Sequence, residues 1–224
     1  MRIYGKLTCG LNTGRVEIVP YAKAAPVTGF VMGIDPGPKE SAYAIVRPDY
    51  TLVRAAKLSN PYVCIEIANA ETVEGVQAVV IEALACYGER MIGRETWETA
   101  YMVGEFRAEA RRAWISWILY DRPTYANAIA GTNKVTDAML YQALRLRFGP
   151  ATKGGPLEGL RGCSDLRSAY AIACYYLDTV RLGPGAVKLA SKIPREGKGV
   201  DDVAPNGGLP EASGGMYPKG YTLS

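Results

Sequence analysis

Histidine is absent from the whole chain of 224 residues. That absence removes Ser-His-Asp triads, histidine general bases and histidine-ligated zinc. Cysteine is sparse. The five (Cys9, Cys64, Cys86, Cys163, Cys174) are odd in number and form no C-x-x-C pair. They suit a reducing cytoplasm, with cysteine used as a small apolar residue. No apolar run is long enough to span a bilayer and no signal peptide is evident, so no membrane partner is expected. Net charge is only +4, from 26 Lys plus Arg against 22 Asp plus Glu. A balance that small does not by itself argue for nucleic acid. Chemistry must therefore come from Asp, Glu, Lys, Arg, Ser or a bound metal.

Against these absences, 48% of the residues are hydrophobic and 21% charged, an ordinary globular composition. The basic residues are unevenly placed. From Arg145 to Lys198 they outnumber the acids, which suits either a solvated basic surface or a phosphate-bearing partner.

The chain is organised around Phe30-Val31-Met32-Gly33-Ile34-Asp35-Pro36-Gly37. An apolar run reads as a buried strand ending in a carboxylate. Pro36 and Gly37 then turn the chain. Asp35 is placed either to cap that turn, as Asp-Pro-Gly commonly does, or to hold a cation or reacting group. Strands are predicted over 30–35, 41–47 and 51–58. Asn60-Pro61 reads as a helix start, with Asn60 as N-cap. The next apolar run, Ala78 to Ile81, ends in Glu82. Parallel pairing with the first strand would bring Asp35 and Glu82 to one sheet edge, where open α/β sheets bind ligands.

A helix is predicted from Gly93 to Trp114, with Trp97, Tyr101, Gly104 and Ala108 on a core-facing stripe. Gly104 costs about 1 kcal/mol against alanine in mid-helix. A close helix–helix approach, such as a dimer interface, would offset it. Trp114 to Tyr120 reads as a buried strand ended by Asp121-Arg122-Pro123, and Thr124 to Thr132 as a loop. A helix capped by Thr132 or Asn133 follows over 134–148, with Val135, Met139, Ala143 and Leu146 inward. The last helix starts at Ser164-Asp165 and runs to about Arg181. Asp165 there suits the helix dipole and could also complete a carboxylate cluster. Residues 1–29 read as an extension with a possible hairpin, 30–182 as the working domain, and 183–224 as a Gly-, Pro- and Lys-rich disordered tail.

The predicted order is β-β-β-α-β-α-β-α-α, with acids ending the first and fourth strands and starting the last helix. Val31-Met32-Gly33-Ile34-Asp35-Pro36-Gly37 with Tyr43-Ala44, then Val79-Val80-Ile81-Glu82, resembles RuvC-type crossover-junction endodeoxyribonucleases. Ala85-Cys86-Tyr87-Gly88, Gly93-Arg94-Glu95-Thr96-Trp97-Glu98-Thr99 and Gly104-Glu105-Phe106 resemble the phage and prophage branch. Gly131-Thr132-Asn133-Lys134, Asp137-Ala138-Met139 and Ser168-Ala169-Tyr170-Ala171-Ile172-Ala173 are similar to the family's later segments. The resemblance covers about residues 30–182.

It implies a ribonuclease H-like α/β fold, a mixed five-stranded sheet flanked by helices. It implies a homodimeric, Mg²⁺-dependent nuclease (Mn²⁺ substituting) that cleaves branched DNA in a bacterial or phage-infected cell. The family's acids fall on Asp35, Glu82 and Asp165, which become the metal-holding catalytic residues. A fourth acid, three residues after Asp165, is replaced by Ser168. Lys134, Arg122 and Arg167 are the candidate DNA contacts. Two hard cations about 3.5–4 Å apart could activate water and neutralise a phosphate between such acids. Three alternatives stand beside this reading. One is a junction-binding protein that no longer cuts, motivated by Ser168. Another is an RNA-processing nuclease of the same fold. The third, an ATPase of the actin or Hsp70 type, needs a second domain with a repeated motif that this chain lacks.

Overall fold

The computed structural model describes residues 28–84, 93–153, 155 and 157–182. The expected hairpin within 1–29 lies almost wholly outside these residues. The 85–88 motif and the expected tail over 183–224 lie wholly outside them.

Five strands form one sheet: β1 (Phe30–Asp35), β2 (Glu40–Val46), β3 (Leu52–Ser59), β4 (Val76–Ala83) and β5 (Ser116–Asp121), in spatial order β3-β2-β1-β4-β5. β1 pairs antiparallel with β2 and parallel with β4, so both are central. Their near-continuous burial follows from being covered on both faces. One face carries α1 (Asn60–Glu74) and α2 (Arg94–Arg112), packed on Met32, Ile34, Val79 and Ile81. The other carries α3 (Arg122–Ala130), α4 (Asp137–Phe148) and α5 (Ser164–Leu182), over Val31, Ala42, Ala44 and Val80. Every residue of α5 from Ser168 to Asp178 is buried, as a helix sandwiched between sheet and other helices requires.

Several expectations are corrected. Residues 124–130, read as loop, are helical. Asp121 accepts from Thr124 N at 3.0 Å, Pro123 sits in the first turn, and Gly131 closes the helix at φ 69°. Arg122-Pro123 thus starts a helix rather than merely ending a strand. The N-cap of α1 is Ser59, because the Asn60 side chain is engaged elsewhere. α4 begins at Asp137 behind a Thr136 cap. Its inner residues are Leu140, Ala143 and Leu144, whereas Met139 and Leu146 are exposed. On α2 the core side is Thr99, Val103, Phe106 and Ala110. The Trp97–Tyr101–Gly104 stripe faces outward, and a Cβ on Gly104 would meet nothing. Trp114 is exposed at φ 59°, outside β5, which is an edge strand.

Candidate active site at the ends of the central strands

The sheet register sets the site. Ala42 pairs with Asp35 on one side and Lys57 on the other, and Ile34 pairs with Ile81 just before Asp35 and Glu82. Side chains alternate along a strand. Lys57, Ala42, Asp35 and Glu82 therefore form a row on the face that α5 covers. Over this row α5 comes unusually close. A Cβ on Gly33 would sit 2.0 Å from the Ala169 carbonyl oxygen. That approach puts the first turn of α5, with Asp165 and Ser168, above Asp35.

The electrostatics record the convergence. Asp35 is pushed up from the usual carboxylate range to about 8, by burial first, then by the charges of Glu82 and Asp165. Glu82 is also raised, chiefly by burial, although the Tyr125 hydroxyl donates to its Oε2 at 2.5 Å. Asp165 is held below its ordinary value by Lys57, whose Nζ lies 2.8 Å from Oδ2. Arg122 pairs with Asp137 and lies 3.8 Å from Glu82 Oε2. It donates to Ser168 Oγ at 3.0 Å.

The turn after Asp35 is fixed from below. Ser41 Oγ donates to Asn60 Oδ1 at 2.6 Å and accepts from Gly37 N at 3.1 Å. Asn60 Nδ2 donates to the Gly37 carbonyl at 3.1 Å. This closed network leaves the Asp35 backbone little freedom.

Of the three acids expected to cluster, Asp35 feels the charges of both Glu82 and Asp165. Lys57, Tyr125, Asp137 and Asn60 were missed as site residues. Lys57 was findable by counting cross-strand partners once β3 was placed. Tyr125 was hidden inside the segment read as loop. Of the three DNA candidates, Arg122 points into the acids. Lys134 is exposed in the α3–α4 connection at φ 62°. Arg167 lies over the Tyr141 ring at 4.5 Å, and Arg145 shares that ring at 5.9 Å. Tyr141 and Arg145 line an open groove of about 610 Å³ with Gln142 and Leu146.

The donor chemistry suits a hard divalent cation, since three carboxylates supply oxygen and charge. Among the described residues no three such side chains are already closed around one point. Lys57 and Arg122 hold Asp165 and Glu82 in ion pairs instead. No described helix is long and apolar enough to cross a membrane.

No family model and no curated protein matches the chain. Among solved structures it is similar to RuvC from Thermus thermophilus, with TM-score 0.55 and 18% identity over 69% of this chain and 96% of that one. It is also similar to T. thermophilus RuvC in complex with a Holliday junction substrate, with TM-score 0.51 and 17% identity over the same shares. The chain has the ribonuclease H-like fold, in the mixed five-stranded arrangement that it shares with RuvC.

Proposed function

We propose that the chain is a divalent-cation-dependent endonuclease that cuts branched DNA of the Holliday-junction kind. The observation that carries this is Asp35, a carboxylate crowded by two others at the ends of central strands and beneath α5. Crowded acids are unfavourable alone, and a cation relieves them. Asp35, Glu82 and Asp165 would hold Mg²⁺ or Mn²⁺. When bound, such an ion supplies charge neutralisation on a phosphate and a more acidic water. The chain's own residues do the rest. The Asn60–Ser41–Gly37 network fixes Asp35, the Tyr125 hydroxyl orients Glu82, and Lys57 keeps Asp165 ionised. The test is cleavage of a four-way DNA junction with Mg²⁺ present or chelated. Uncut junction under both conditions refutes the reading. Ser168 favours a second reading, a binder that does not cut. Junction retained in EDTA with no cleavage in Mg²⁺ or Mn²⁺ would support it. Faster cutting of structured RNA would favour an RNA-processing role. The motif string over 85–106 supports a phage-type relative.

The DNA-contacting surface is best supported at Arg145 and Arg167, two cations on one ring with no acid partner among the described residues. Changing either to Ala should weaken junction binding and lower the slope of log K against log salt by about 1. Fluorescence anisotropy across a salt series checks this, and an unchanged slope removes them from the interface.

A homodimer is supported by the outward stripe of α2. Trp97 and Tyr101 are 63% and 66% exposed, with Gly104 beside them offering close approach. Trp97→Glu should convert a dimer to monomer in sedimentation velocity. An unaltered dimer places the interface elsewhere.

A further inference from the structure

We propose that Arg122 is a built-in cation of this site, standing where a second divalent ion would sit, so that the protein takes one ion per protomer. The proposal rests on the nuclease reading above. Arg122 is the first residue of α3, and a positive charge in a first turn opposes the helix dipole. Something must hold it there, and its contacts say what. One guanidinium nitrogen donates to Ser168 Oγ at 3.0 Å and lies 3.8 Å from Glu82 Oε2. The same nitrogen is 3.4 Å from the Tyr125 hydroxyl. The other terminal nitrogen pairs with Asp137. The group thus fills the space bounded by β4, α3, α4 and the first turn of α5.

Two acids, Glu82 and Asp137, flank that space, and a serine completes it. An arginine fits such a gap because its planar fork reaches two partners at once and never loses its proton. A second dication would have to expel it from all of these partners at once, or accept its repulsion. Lys57 differs. It is a flexible chain, 40% exposed, and its ion-pair partner is Asp165, itself 38% exposed. Arg122 is 29% exposed, and although Asp137 is 58% exposed the other partners of Arg122 lie on β4, α3 and α5, so an ion displaces Lys57 from Asp165 more easily than Arg122 from its pocket. Asp35, Glu82 and Asp165 would hold the single ion, and Arg122 provides fixed positive charge on the Ser168 side. Asp137 positions the guanidinium.

The experiment counts Mn²⁺ per protomer by electron paramagnetic resonance titration of the full chain, with thermal melts confirming that each variant is folded. The wild type should bind one ion. Arg122→Lys keeps the charge and should also bind one. The double variant Arg122→Gln with Ser168→Asp removes the cation and adds an acid, and should bind two. Two ions on the wild type overturn the proposal, as does a single ion on the double variant. No ion on any of the three, together with uncut junction, overturns the metal-site reading beneath it.

Discussion

On the nuclease reading, Asp35→Asn should abolish junction cleavage, and it should make the metal-free protein more stable at pH 8 than its parent. The two effects share one cause. Asp35 is buried beside Glu82 and Asp165, and its carboxyl is pushed from about 3.8 to about 8. The sign follows from proton uptake. Below about pH 4 the folded and unfolded chains both carry this proton, and nothing is lost. As pH rises toward 8 the unfolded chain releases it, whereas the folded chain must keep it or accept a crowded charge. Stability therefore declines across that window and levels off above it. The full displacement would correspond to roughly 6 kcal/mol, and side-chain relaxation leaves about 2 kcal/mol as the working expectation. Asparagine has nearly the same shape and no charge, so it removes the decline together with the anionic ligand. Urea unfolding at pH 5 and pH 8, in EDTA, measures both proteins. A wild type whose stability does not drop between these pH values contradicts the crowding. Added Mg²⁺ should raise the wild-type midpoint at pH 8 and leave the variant unmoved.

Gly33→Ala should cost about 3 kcal/mol or more, at the upper end for overpacking. The methyl group would meet the Ala169 carbonyl oxygen at 2.0 Å, with Ile172 and Ala173 each 3.0 Å away. A backbone carbonyl inside a buried helix cannot swing aside, so α5 must lift from the sheet as a body. That shift carries Asp165 and Ser168 away from Asp35. A displacement of about 1 Å can cost 10²-fold in rate. The expected outcome is a lower urea midpoint together with cleavage reduced beyond what the unfolded fraction explains. A variant within ~1 kcal/mol of the parent would show that α5 does not press on β1 there.

The sheet was legible because buried strands announce themselves. Val31 to Ile34 and Ala78 to Ile81 are apolar runs that stop at an acid, and parallel pairing then brings the acids together. The rest of the site depends on partners that no local pattern encodes. Lys57 reaches Asp165 because β3 lies two strands from β1, which only the register reveals. Tyr125 was hidden, and Arg122 read only as a DNA contact, because Pro123 in the first turn of α3 looks like a strand terminator. The inward side of α2 was misjudged because that helix carries two apolar series at helical spacing. Trp97 and Tyr101 form one, and Thr99, Val103, Phe106 and Ala110 the other. Periodicity finds both and ranks neither. The larger aromatics won the reading, and the smaller, better-fitting side chains won the core.

The placement of α5 has a consequence for biosynthesis. It is the last described element in the order of synthesis, yet it covers the first described strand and carries Asp165. A nascent chain whose final helix is still inside the ribosome has its sheet bare on that side and lacks Asp165. On the proposed reading, such a chain would not cut. If the proposed activity holds, it would arise only after translation has passed residue 182 and the helix has docked.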